Sequence, residues 1–175
     1  GVIDEINAFF PLNIGNEWTF QLENDTTYSF TSKITKTKQV NEKKYYGFDR
    51  IMPFFPESFI IPNLDSIYVR QDEKGDILLL VDSSEYPYLI FSKSLSNQTC
   101  LQIKGVDYCY LNESKKDSVN TPLGQFLKCD IFVNYFPQFT DTDARTWFAP
   151  GCGPVKISVS EGSSMLLVNM TIKKI

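Results

Sequence analysis

The chain has 175 residues, 42% of them hydrophobic and 22% charged, with 17 Lys and Arg against 21 Asp and Glu for a net charge of −4. This composition describes one globular domain, 1–175, because a chain of roughly 150 residues buries about 70% of the surface it exposes when unfolded. The acidic balance argues against nucleic acid as a partner, whose binding needs a clustered positive field, and the absence of any histidine excludes Ser-His-Asp and Cys-His catalysis and His-containing zinc sites.

Fourteen Phe, 9 Tyr and 2 Trp favour pleated, half-buried strands over helices. Residues 1–15 carry Ile3, Ile6 and Phe10 at helical spacing, but Pro11 and the turn from Asn13 to Gly15 limit a helix to about two turns. No signal peptide stands at the start, and its absence is uninformative, since Gly1 is not expected to mark a natural beginning. Glu17 to Asn24 alternates, with Trp18, Phe20 and Leu22 on one side, and predicts a half-buried strand. A second strand runs from Tyr28 through Phe30 and Ile34 and turns at Asn41-Glu42-Lys43 into a third, Lys44 to Ile51.

The stretch 51–63 is apolar yet punctuated by Pro53, Pro56 and Pro62, so it cannot lie inside a sheet. One reading is a loop folded over an open edge of the core. The other is the rim of an apolar cavity, with Phe54, Phe55, Phe59 and Ile60 as candidate ligand-binding residues. Strands at Ser66 to Gln71, Asp76 to Val81 and Tyr86 to Phe91 follow, and 112–120 reads as a polar loop before the strand Gln125 to Phe136. At the end, Val155, Ile157 and Val159, then Leu166, Val168, Met170 and Ile172, form two strands around a turn at 161–164, preceded by the kink Pro150-Gly151-Cys152-Gly153-Pro154. The fold class expected is mainly β with little helix: a single antiparallel, strongly curved sheet or partly open barrel of about ten strands. A two-sheet sandwich is the alternative.

The four cysteines permit three pairings. A two-residue turn at Lys104-Gly105 would set Cys100 opposite Cys109 at a distance a disulfide tolerates, bridging the hairpin from its polar side beside Gln102 and Asp107. That leaves Cys129, which the alternation Cys129, Ile131, Val133, Tyr135 turns inward, to pair with Cys152 in the kink. Two bridges imply an oxidising compartment, outside the cytoplasm; four reduced cysteines in a cytosolic protein are the alternative.

Catalytic devices without histidine are few. Asp141 with Asp143, Asp4 with Glu5, or Asp72 with Asp76 could act as carboxylate pairs, but each lies where Asp serves turn geometry. No catalytic residue, metal site or cofactor is assigned: Thr140-Asp141-Thr142-Asp143 lacks the rest of a calcium loop, and no phosphate-binding or dinucleotide motif occurs. Asn24, Asn97, Asn112 and Asn169 begin Asn-x-Ser/Thr triplets. No apolar run reaches the ~18 residues of a transmembrane helix.

Two segments carry a resemblance. Phe10-Pro11-Leu12-Asn13-Ile14-Gly15-Asn16-Glu17-Trp18 and Trp147-Phe148-Ala149-Pro150-Gly151-Cys152-Gly153-Pro154-Val155-Lys156, with Gly124-Gln125-Phe126 and Cys129 between them, resemble uncharacterised bacterial secreted proteins and envelope lipoproteins. The resemblance implies a place outside the cytoplasm. By a looser analogy of architecture, such proteins look like periplasmic half-barrel carriers of lipoproteins. Three functions follow as expectations: a non-catalytic extracytoplasmic module holding a lipid or other apolar ligand against a concave sheet; a structural domain contacting another envelope protein; and, last, a histidine-free glycosidase.

Overall fold

The computed structural model describes residues 9–49, 67–92, 98–103, 105–113, 116–138, 144–159 and 164–173. Among them are thirteen strands, all paired antiparallel. They are β1 (Glu17–Leu22), β2 (Ser29–Val40), β3 (Lys43–Phe48), β4 (Ile67–Gln71), β5 (Ile77–Val81), β6 (Ser84–Leu89) and β7 (Thr99–Ile103). The rest are β8 (Val106–Asn112), β9 (Asp117–Thr121), β10 (Gly124–Tyr135), β11 (Ala144–Ala149), β12 (Gly153–Val159) and β13 (Ser164–Thr171). The order across the sheet is β6-β5-β4-β3-β2-β1-β13-β12-β11-β10-β8-β7, with β9 attached to β10 beside this path.

The two halves of the meander join where β1 pairs with β13, so the first and last strands lie side by side at the middle of the sheet. Curvature nearly closes the sheet into a barrel. Its terminal strands, β6 and β7, share no ladder. The seam is spanned by side chains instead: Tyr88 of β6 stacks on Tyr108 of β8 at 6.4 Å, and Phe91 packs edge-on against Phe132 at 4.9 Å and Phe148 at 5.5 Å. Pro87 sits in edge strand β6, where a missing amide proton costs least.

Local chemistry explains the turns and bends. Asn41 and Glu42, with φ of 49° and 64°, form the two-residue turn that joins β2 to β3, and Asp82 and Ser83 repeat it between β5 and β6 at 48° and 71°. Such left-handed pairs match the twist of hairpin strands. Pro154 is accommodated in β12 because the β11–β12 register shifts beside it, between Trp147 and Phe148. A second bulge, between Phe126 and Cys129, carries Lys128 at φ 58° and turns the first half of β10 aside to pair with β9.

Several expectations need amendment. The strand count is thirteen rather than about ten, because β11 precedes the closing hairpin and β9 occupies part of the supposed polar loop 112–120. Val119 is the sole buried residue of β9, facing Phe126, so its alternation is too polar to stand out. In β10 the residues of the main apolar cluster are Cys129 and Phe132, with Phe136 just beyond the strand; Ile131 and Val133 are buried outside it. Residues 9–15 form no helix.

Candidate functional site

The concave side of the sheet is where a ligand would lie, and aromatic rings occupy it. Phe10, Trp18, Phe20, Phe48, Phe132 and Phe148 each expose no more than 1% of their surface. Phe10 stacks on Trp18 at 5.3 Å and touches Phe48 at 6.0 Å and Phe148 at 5.8 Å, while Phe148 meets Phe132 edge-on at 5.7 Å. Offset and edge-on contacts of this kind add roughly 0.5–1.5 kcal/mol per pair beyond burial. Polar groups complete the interior: the Asn134 amide donates to the Tyr108 hydroxyl at 3.0 Å, and burial pushes the Tyr110 phenol up to about 12.

The first and last segments of the chain meet across this core. Asn16 is fully buried; its amide donates to the Pro11 carbonyl at 2.9 Å, and its side-chain oxygen accepts from the Lys173 amide at 2.7 Å. The Trp18 indole donates to the Cys152 carbonyl at 2.6 Å. Gly153, at φ 90°, lies so close beneath that ring that a Cβ there would come within 3.1 Å of the indole nitrogen. Asn16, Trp18 and Gly153 therefore act together as a structural clasp that fastens both ends of the meander.

The outer face of β2 to β6 has a different character. Through the ladders, Lys36, Gly47, Tyr68, Leu80 and Glu85 lie in one row, flanked by Lys38, Tyr45 and Lys43 and by Arg70. Glu85 accepts hydrogen bonds from Arg70 through both carboxylate oxygens, from the Tyr45 hydroxyl at 2.6 Å and from Lys43 at 3.1 Å. The Arg70 guanidinium holds the Glu85 carboxyl down at about 2, with Tyr45 and Lys43 lowering it further against the effect of burial. Gly47 leaves room for the Tyr68 ring, and Lys36 and Lys38 lie over that ring at 5.7 and 5.6 Å. Glu85 thus answers Lys43 and Arg70, while Lys36 and Lys38 lie over the Tyr68 ring, in a chain of net charge −4.

Cys100 and Cys109 are joined, with Cα atoms 4.1 Å apart in the expected register, and Gln102 donates to Asp107 beside them at 3.3 Å. Only Cys100 faces solvent; Cys109 is fully buried because the far edge of β8 is taken by β10, where Tyr135 lies opposite. Cys129 and Cys152 are free thiols in this structure, not the second bridge expected. The Cys129 sulfur points back along its own strand, 3.8 Å from the Phe126 carbonyl.

Phe54, Phe55, Phe59 and Ile60 lie outside the described residues, as do Asp4, Glu5, Asn97, Asp141 and Asp143. Asp72 and Asp76 serve the β4–β5 turn: Asp72 accepts from the amides of Lys74 and Asp76 at 2.9 and 3.0 Å, and Asp76 accepts from the Ser92 amide at 2.8 Å. Asn112 is buried opposite Phe132, which leaves no room for a glycan.

No protein-family model and no curated protein sequence matches the chain. Among solved structures, a Bacteroides fragilis protein described as exported and of YmcC-like fold is similar over 94% of this chain and 99% of its own, with 14% identity and a TM-score of 0.53. A protein described as a lipoprotein, from Parabacteroides distasonis, aligns over 94% of this chain and 99% of its own with 12% identity and a TM-score of 0.44. The first likeness extends over nearly the whole of both chains, and at that identity it is a likeness of fold.

Proposed function

We propose that this chain is a non-catalytic module that works outside the cytoplasm and acts through its surface, by contact with another envelope protein. The observation that carries the reading is the interior: six large aromatic side chains, each at most 1% exposed, fill the concave side that a carrier would keep hollow. The basic row around Tyr68 is the contact face, and its charge suits an acidic partner surface. The place outside the cytoplasm is supported by the Cys100–Cys109 bridge, which persists in oxidising compartments. The related fold of a protein described as exported agrees with it.

The test is native mass spectrometry after gentle purification, joined to partner capture from an envelope extract. The reading expects the mass of the chain without an apolar adduct, and a partner whose retention falls with salt and is lost in the double variant Lys36→Glu, Lys38→Glu. A stoichiometric apolar adduct, or capture indifferent to both salt and the charge reversal, contradicts it.

A second reading, an apolar or amphiphilic ligand held within the curved sheet, is favoured by one observation. The seam between β6 and β7 is spanned by ring contacts such as Tyr88 on Tyr108 and has no ladder, so it could part to admit a chain-like molecule. A lipid adduct that survives gentle purification and disappears when the seam is cross-linked would decide for it.

A further inference from the structure

Cys129 and Cys152 are brought to the same residue from two directions. The last ladder pair between β10 and β11 is Asp130 with Phe148, so Cys129 and Ala149 leave the ladder side by side. The turn that follows β11 is closed by the Cys152 amide donating to the Ala149 carbonyl at 3.1 Å, which returns Cys152 to that position. Both belong to one apolar neighbourhood: Cys129 lies in the main cluster, and Cys152 packs against it. Each also sits in backbone released from regular pairing, Cys129 at the β9–β10 bulge and Cys152 between Gly151 at φ 71° and Gly153 at φ 90°.

We propose that Cys129 and Cys152 are an oxidisable pair that closes a second disulfide, tying the bulge of β10 to the kink between β11 and β12. The structure is then that of the reduced form. Closure asks the Cys129 sulfur to rotate away from the Phe126 carbonyl, giving up a weak 3.8 Å contact.

Exposure orders the chemistry. Cys152 is partly exposed and Cys129 is not, so Cys152 meets an external disulfide first. Its thiolate attacks one sulfur of oxidised glutathione, forming a mixed disulfide and releasing one glutathione. Cys129 then attacks the Cys152 sulfur and releases the second. Two protein thiols and one oxidised glutathione become one protein disulfide and two glutathione thiols, so the protein gives up two electrons and two protons. Burial holds both thiols protonated; around Cys129, the Asp117 and Asp130 carboxylates strengthen this and Lys116 opposes it. Closure therefore accelerates with pH, by about tenfold between pH 7 and 8 where thiolate supply limits it.

The sequence makes the test unambiguous, because trypsin places each cysteine on its own peptide: 94–104, 105–115, 129–145 and 146–156. The folded protein, its Cys100–Cys109 bond intact, is incubated with oxidised glutathione, quenched in acid, alkylated and digested without reductant. The expected result is that 129–145 and 146–156 emerge linked within one chain, and that reactive thiols fall from two to none. The variants Cys129→Ser and Cys152→Ser, checked for native circular dichroism, must each abolish the linkage. If both peptides remain alkylated, if each carries glutathione separately, or if the link joins two chains, the proposal is overturned.

Discussion

Replacing Gly153 by alanine tests whether the clasp between the chain's two ends is structural, and Gly151, two residues earlier in the same kink, supplies the control. Both glycines have left-handed backbone, φ 71° at Gly151 and 90° at Gly153, so each alanine pays about 1–2 kcal/mol for conformation alone. Their surroundings differ. A Cβ at Gly151 meets nothing within 4 Å, whereas one at Gly153 meets the Trp18 ring at 3.1, 3.3 and 3.3 Å. Trp18 has little freedom to yield, because it is fully buried, stacked on Phe10 and in contact with Phe48. Displacing it breaks the indole hydrogen bond to the Cys152 carbonyl and leaves a buried donor without its acceptor, at about 1–3 kcal/mol. Gly151→Ala is therefore expected to lose about 1–2 kcal/mol and Gly153→Ala about 2–5 kcal/mol. Urea unfolding followed by circular dichroism gives the two values, and tryptophan emission reports the shift at Trp18. Equal losses within roughly 0.5 kcal/mol, or an unchanged emission spectrum for Gly153→Ala, would refute the reasoning.

Three more outcomes are expected. Glu85→Gln should lower stability at neutral pH by about 1 kcal/mol, the modest figure suited to a partly exposed but bidentate pair. Because the Glu85 carboxyl is held at about 2 against its usual 4.5, its stabilisation is complete above pH 4.5 and lost as pH falls through 2. The parent should therefore lose more stability over that window than the variant, and parallel curves would contradict the assignment. Removing the Cys100–Cys109 bridge by double alanine substitution should cost roughly 2–3 kcal/mol, the chain-entropy value for so short a loop, read as a lower urea midpoint; no change would mean that the hairpin needs no covalent tie. Phe148→Ala, which empties a site touched by the rings of Phe10, Phe91 and Phe132, should cost about 3–5 kcal/mol in the same assay, and a loss under 1 kcal/mol would mean the interior is looser than its contacts imply.

How much of this was legible in the chain depends on what each feature is made of. Strict alternation, as in Trp18 and Phe20 between Glu17, Thr19 and Gln21, gives both a strand and its buried face from the sequence alone. The cystine hairpin was equally open to reading, since one glycine turn fixes the register that puts Cys100 against Cys109. Parity in β10 was not, because the bulge at Lys128 inserts a step that no residue type announces, and buried side chains on both faces erase the alternation beyond it. Asn16, Trp18 and Gly153 stood out as a motif, but their joint purpose appears only when β1 and β13 pair across the whole length of the chain. The Glu85 network is harder still: Lys43, Tyr45, Arg70 and Glu85 come from three strands, and nothing local to any of them predicts the others.

The claim on which the functional account rests is that the barrel has no room inside. Titrating the protein with a fluorescent fatty acid addresses it most directly, with Trp147 replaced by Phe so that emission comes from Trp18, buried at the heart of the cluster. A filled interior predicts no saturable binding and no energy transfer from Trp18 to the probe. Stoichiometric, saturable binding that quenches Trp18 would contradict it and return the concave face to the role of a carrier.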